Sequence, residues 1–476
     1  MIRWRRELPA IGHWTIFGLV LVVGAALRFG GLGGESLWYD ESWSWWLAGG
    51  ELLHKLRTQD AHPPLYYATL TLWVRWGDSE AWMRALSALY GTLTLPLMYR
   101  LAQRVGKTGL LAMTFLAICP YHVRFSQEAR SYILLFLEAA ALLNLIVDLR
   151  ERHSRWKWCG VSGVTAAMVY THYMAVFFLA ALAIGALVWA RERKGFGKGA
   201  LLSLAGAVLL FLPWVPTAYR HTVLIEKGFW IPFPTIQIVG YSLAQLSISP
   251  VPFGEPMHYG WAVPLYLLAL AAPWMARDRK LAVWLLPLVF PIVGEWLASF
   301  AQPIFYTRTF MYVLLPFWLL VSVAVGRLPG LAKGAAAMGI LAAMGPGLVS
   351  TKMGLHKEDW RGCSQVALRA GPGEVVVVHP WYLKRNLEYY ARQGGAPPVW
   401  TIGTSDATWI QDARREASAM ERIAWRARRE NVRGVWLIRR PYEGTERQKI
   451  PPELDALFPR RFRTVARNTE LIYWAP

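Results

Sequence analysis

Apolar runs of about 20 residues recur along most of this chain, and no other feature constrains its fold as much. A helix needs ~20 such residues to cross the hydrocarbon core of a bilayer. Eleven spans are expected, near residues 11–29, 82–102, 108–121, 131–148, 158–171, 172–190, 199–216, 260–275, 281–299, 309–325 and 331–350. The run from 158 to 190 is too long for one span and breaks at its polar cluster, Thr171-His172-Tyr173. Only 17% of the 476 residues are charged and 55% are hydrophobic, against about 25% charged in an ordinary soluble domain. Those values exclude a disordered chain and argue against a single soluble globule. Cys119, Cys159 and Cys363 have no metal spacing and imply no disulfide framework.

The charge balance orients the spans. There are 51 basic and 31 acidic residues, a net charge of +20. On a soluble protein this would suggest nucleic acid. Here much of the excess lies in short loops between apolar runs, so a nucleic-acid partner is not expected. Arg3, Arg5 and Arg6, then Arg104 and Lys107, Arg150 to Lys157, Arg191 to Lys198, Arg277 to Lys280, and Arg327 with Lys333 all fall on one side of an eleven-span arrangement. The positive-inside rule makes that side, and the N-terminus, cytoplasmic. The first span reads as a retained anchor. The expected fold is therefore a polytopic α-helical membrane protein with an extracytoplasmic C-terminal α/β domain. Residues 1–350 form the membrane part, with long outer loops at 30–81 and 216–259, and residues 351–476 form the tail. In the tail, Asp359 is placed to cap a helix through Leu368, and Gly371-Pro372-Gly373 to turn into a strand at Val375–Val378. A helix over Tyr382–Arg392, a strand at Val399–Ile402, a helix near 410–430 and strands at Val435–Ile438 and Leu471–Trp474 follow. This alternation predicts a parallel or mixed sheet. The Gly-Pro-Gly turn precedes a strand, the wrong order for a dinucleotide site.

Four clusters carry chemistry-bearing residues, all on the outer face under this topology. The first is Trp38-Tyr39-Asp40-Glu41, followed by Trp43, Trp45 and Trp46. Aromatic faces pack on sugar rings, and a carboxylate can take a proton from an acceptor hydroxyl. Adjacent acids at a helix start point in different directions, so only one should enter a site. The competing reading is an interfacial aromatic belt with acids capping a helix. The second cluster, Asp60-Ala61-His62-Pro63-Pro64-Leu65-Tyr66, has an extended entry to a helix, where His62 could donate to a phosphate or ligate a metal, or simply sit in a turn. In the third, Gln127-Glu128-Ala129-Arg130-Ser131-Tyr132, Arg130 could clamp a phosphate and Glu128 could orient Arg130, His62 or a metal. A structural ion pair at a helix end is the alternative. In the fourth, Arg308 is the one basic residue of its loop, a candidate for a lipid phosphate or a snorkelling side chain. His172 reads instead as a satisfied structural histidine.

With these residues in view, the chain resembles the GT-C type of membrane glycosyltransferase, in the bacterial branch related to protein O-mannosyltransferases and lipid A aminoarabinose transferases. Trp38-Tyr39-Asp40-Glu41, the Asp60 to Tyr66 segment, Gln127 to Tyr132 and Asp359-Trp360-Arg361 carry the resemblance, which covers almost the whole chain. It implies sugar transfer at the outer face from a polyprenyl-phosphate-linked donor, with inversion at the anomeric carbon. It makes Asp40 the general base and Glu41 its supporting neighbour; the charge that grows on the leaving phosphate makes His62, Arg130 and Arg308 the candidates to meet it. Glu128, Tyr132, Trp38, Tyr39, Asp60 and Tyr66 would support them. No cofactor is required by this reading, and a divalent cation stays open, with no clear ligand set. The acceptor is left as a lipid, a glycan or a protein, in contact with membrane lipids.

The sequence departs from both relatives. Leu65-Tyr66 stands where protein O-mannosyltransferases continue with Gly-Lys, and His62 stands where aminoarabinose transferases place a Lys. Neither substrate is carried over. A transporter or flippase of a lipid-linked substrate is the alternative. Against it, the polar groups gather at one face, and no paired broken helices appear in corresponding halves.

Overall fold

The computed structural model describes residues 10–226, 231–248, 259–354, 357–379, 383–392, 399–401, 425, 427–440, 457–458, 460–466 and 469–475. Each of the eleven expected spans falls on helix. Among the described residues, seven helical segments are long and apolar enough to cross a bilayer, beginning at Gly12, Tyr132, Ala175, Phe196, Arg279, Thr307 and Gly330. Gly109–Ile118 and Ala262–Met275 are apolar but shorter. The chain is a multi-pass membrane protein. The break at residues 171–173 is real: one helix ends at Thr171 and the next starts at Ala175.

The core sits around Leu314–Gly326, whose side chains from Leu314 to Val325 are all buried. Glu80–Gly106 packs against Tyr132–Glu151 and against the short Pro120–Ser126 helix. Gly91 makes that second approach feasible, because a Cβ there would overlap the Ser126 side chain. Arg28 is fully buried and donates to the Leu116 and Ala117 carbonyls at 3.1 and 2.9 Å. These belong to the end of the 109–118 helix, where carbonyls lack intrahelical partners.

The first long loop is itself mostly helical. Tyr39–Ala48, Leu52–Thr58 and Leu65–Trp73 are helices, the last entered through Pro63-Pro64 as the sequence suggests. The segment 216–259, expected as a loop, differs. It is largely helix over Val215–Glu226 and Ile236–Ser247. Its Pro, Trp and Phe content masks an amphipathic period, and Thr235 caps the second helix through the Ile238 N–H.

The tail contains a mixed sheet of β1 (Glu374–His379), β2 (Val399–Thr401), β3 (Gly434–Arg439), β4 (Arg460–Ala466) and β5 (Thr469–Ala475), in the order β2-β1-β3-β5-β4. β1 is parallel to β2 and β3, while β5 is antiparallel to β3 and β4. Asp359 caps Trp360–Ala367 by accepting the Gly362 N–H at 3.0 Å, and Lys384–Ala391 lies inside the second expected helix. The expected helix near 410–430 falls mostly outside the described residues, as do Arg3, Arg5, Arg6 and Ile402. β4 was not anticipated, because its Arg460-Arg461-Phe462-Arg463 start reads as surface charge.

Candidate functional site

The four clusters meet at one end of the bundle, and the residue that joins them is Asp40. It lies in the first turn of the Tyr39–Ala48 helix, is 9% exposed, and receives Arg308 Nη1 on Oδ2 at 2.8 Å. Arg130 Nε is 3.9 Å from the same oxygen. Burial pushes the Asp40 carboxyl up, but Arg308, Arg130 and His62 outweigh it and hold it below the usual range. Asp40 is thus an ionised carboxylate between two guanidinium groups.

Glu41 turns the other way, as two consecutive residues on a helix must. Arg84 grips it through Nε and Nη2 at 2.7 and 2.6 Å, Lys357 donates at 2.9 Å, and the Ala129 N–H donates at 3.1 Å. Burial pushes Glu41 up, yet these cations bring it down to about 2. Arg84 in turn donates to the carbonyls of Leu32, Glu35 and Ser36. Glu41 therefore ties the first loop, the 128–130 turn and the tail together.

The two arginines differ in what they have left to offer. Arg130 donates to Tyr67 Oη at 2.9 Å and to His62 Nε2 at 3.0 Å, and its weaker contacts reach the Asp40 carbonyl and Ser44. His62 is committed on both nitrogens, because Nδ1–H donates to Asp60 at 2.6 Å while Nε2 accepts from Arg130. Asp60 also accepts from the indole of Trp43 and is held at about 2 by His62, against its burial. Asp60, His62 and Arg130 form one braced line. Arg308 is less occupied. Its Nε, like that of Arg130, is buried without a hydrogen-bond partner among the described residues, but the rest of its guanidinium donates there to Asp40 alone. Its guanidinium lies 4.7, 5.0 and 5.7 Å from the ring centres of Tyr306, Tyr132 and Trp38.

The remaining expected residues divide. Trp38 and Tyr132 wall the site through those rings, and the Trp38 indole N–H has no partner among the described residues. Tyr39 packs on Trp43, and Tyr66 points into the core toward Ser87 at 3.4 Å. Glu128 is 3% exposed, and neither Arg130 nor His62 hydrogen-bonds its carboxyl. Burial pushes it up, and Lys357 and Arg308 pull it back in part. Among the described residues no three His, Cys, Asp or Glu side chains group as metal ligands.

Three residues of this region were not singled out by sequence. Arg84 and Glu295 are ionisable groups inside apolar runs, a signal that such a residue faces a partner. Lys357 lies in the tail and gave no signal. His172, expected to be structurally satisfied, stands 6.5 Å from His62 and 5.6 Å from Tyr132, ring to ring.

Comparison with known proteins bears on the fold. Residues 61–217 match the family described as dolichyl-phosphate-mannose-protein mannosyltransferase. The structure is similar to ArnT from Cupriavidus metallidurans in the apo state, with a TM-score of 0.63 at 14% identity over 98% of both chains. It is similar to ArnT bound to undecaprenyl phosphate, with a TM-score of 0.60 at 15% identity over 98% of both chains. The Archaeoglobus fulgidus oligosaccharyltransferase, in complex with Zn and sulfate, gives a TM-score of 0.52 at 12% identity, over 89% of this chain and 67% of that one. No curated protein matches the sequence. The chain thus has the fold of ArnT, the GT-C type expected from the sequence, and residues 61–217 match the protein mannosyltransferase family.

Proposed function

We propose that this protein is an inverting glycosyltransferase that moves a sugar from a polyprenyl-phosphate donor to an acceptor hydroxyl, at the outer face of the cytoplasmic membrane. The observation that carries this reading is Asp40: a buried, ionised carboxylate beside Arg308 and Arg130, walled by aromatic rings, at the ends of lipid-spanning helices. A lipid-linked sugar stays in the bilayer, so its phosphate arrives at that level. The similarity in fold to ArnT bound to undecaprenyl phosphate supports the same donor class.

Asp40 takes the proton of the acceptor hydroxyl as its oxygen attacks the anomeric carbon. The carbon–oxygen bond to phosphate breaks, and its electron pair leaves on the polyprenyl phosphate. Negative charge thus grows on the phosphate, where preorganised cations act most strongly. Arg308 is the principal cation there, since among the described residues its guanidinium donates to Asp40 alone, while Arg130 is engaged by Tyr67 and His62. Arg130, fixed by His62 and Tyr67, adds its field at Asp40. The arginines meet the charge without a required metal, although a divalent cation carried by the phosphate is compatible with this role. The acceptor is a lipid, glycan or protein hydroxyl.

The test is release of polyprenyl phosphate by purified protein in lipid, offered a panel of polyprenyl-phosphate sugars with envelope acceptors. Asp40→Asn should lower turnover by about 10²–10⁴ while leaving the fold intact. Undiminished transfer by that variant would remove Asp40 as the base.

A further inference from the structure

We propose that His172 is a further donor-binding residue of this site, its Nε2–H bonding a phosphoryl oxygen of the lipid-linked substrate beside Arg308. The inference rests on the donor class proposed above. It starts from the tautomer. The Met174 backbone N–H donates to His172 Nδ1 at 3.2 Å. A backbone amide can only donate, so Nδ1 carries a lone pair and the neutral ring bears its proton on Nε2. That N–H has no hydrogen-bond partner among the described residues.

Its surroundings decide what it would meet. His172 closes the helix that ends at Thr171, and its ring packs on Tyr132 and faces His62. Tyr132 is the same ring on which Arg308 rests at 5.0 Å and near which Arg130 lies at 6.0 Å. Burial, with His62, Arg130 and Arg308 adding to it, pushes the imidazolium form down to about 3. His172 therefore supplies a donor without a further positive charge. In an already cation-rich site, a neutral donor can hold an anionic oxygen without charge repulsion from its neighbours. His62 cannot do this in the present arrangement, because both of its nitrogens are engaged.

Binding of undecaprenyl phosphate to the full chain in lipid nanodiscs tests this, comparing wild type, His172→Leu, His172→Gln and Arg308→Gln. The glutamine amide places a donor near the Nε2 position, and leucine removes it. Loss of a hydrogen bond to a charged group should weaken binding about 10-fold or more in His172→Leu, with most of it restored in His172→Gln. Equal affinity of wild type and His172→Leu overturns the inference and leaves the donor reading standing, provided Arg308→Gln weakens binding. Equal weakening in both His172 variants assigns the residue a structural role and also overturns it. No binding by wild type removes the donor class and this inference together.

Discussion

At the scale of single residues, the sequence presents two adjacent acids and the structure separates them. Their adjacency in a helix start predicts that they face different ways, and Asp40 turns to Arg308 and Arg130 while Glu41 turns to Arg84. What Glu41 faces was not legible, because its partners Arg84 and Lys357 lie 43 and 316 residues away in sequence. Likewise, His62 was visible as a polar group, but its commitment to Asp60 and Arg130 depends on a contact across 68 residues. Glu41 is fully buried and four donors reach it. Breaking a buried ion pair by removing one partner's charge costs about 3–5 kcal/mol, so Glu41→Gln should lower thermal stability markedly. Its carboxyl titrates lower in the folded state than in the unfolded one. It therefore contributes stability fully above the ordinary value of 4.5, and loses it as pH falls toward about 2. Thermal unfolding followed by tryptophan fluorescence between those pH values should show this loss in wild type. The step should be missing in Glu41→Gln. An identical acid profile in both proteins would mean that Glu41 is not the ionised anchor.

At the scale of elements, apolar length located the helices, but the local form of one of them sets the site. The run starting at 309 was expected to be a span with Arg308 in the loop before it. The span is there, but Arg308 belongs to it: Thr307–Val313 forms two 3₁₀ turns kinked at Phe310 that pass into α-helix at Leu314. Such segments are short and need outside support. Thr309 donates to Glu295 at 2.7 Å, Thr307 donates to Ser242 at 2.8 Å, and Tyr312 donates to the Met174 carbonyl at 2.9 Å. Hydropathy alone cannot reveal such bonds, because they replace helix hydrogen bonds with side-chain ones. Glu295 sits on a neighbouring span and holds the turn that aims Arg308. Glu295→Leu leaves the Thr309 hydroxyl only the Tyr306 carbonyl of its own segment, and frees the segment from the neighbouring span. Apparent KM for the lipid-linked donor should rise about 10-fold, with Glu295→Gln close to wild type because the amide oxygen still accepts. Unchanged KM in Glu295→Leu would mean that the segment is held by packing alone.

At the scale of the whole molecule, the sequence placed the tail and the first loop on one face, since both flank odd-numbered spans. It did not show that they touch. In the structure the tail grips the loop that carries Asp40. Asn386 Nδ2 donates to the Leu37 carbonyl at 3.0 Å while its Oδ1 accepts from Ser42 at 2.9 Å. Tyr390 Oη accepts the Leu37 N–H at 2.8 Å, and Arg361 pairs with Glu80. Lys357 adds the contact to Glu41. The membrane part thus completes its site with residues from beyond the last span. Asn386 is fully buried and its hydrogen bonds go to Leu37 and Ser42, not to Asp40, Arg130 or Arg308, so it separates the clamp from the chemistry. Asn386→Leu strands the Leu37 carbonyl, worth about 1–3 kcal/mol when left unsatisfied, and leaves the Ser42 hydroxyl only the Tyr39 carbonyl. Hydrogen exchange at residues 36–44 should then quicken while the spans keep their protection, because local opening draws on the least stable unit. Transfer activity should fall in step, although no reacting group has changed. Adding Lys357→Met should cost less than the sum of the single effects, because both residues secure the same loop. Faster exchange with full activity would show that the loop's order is not what positions Asp40. Unaltered exchange would show that the tail rests on the loop without holding it.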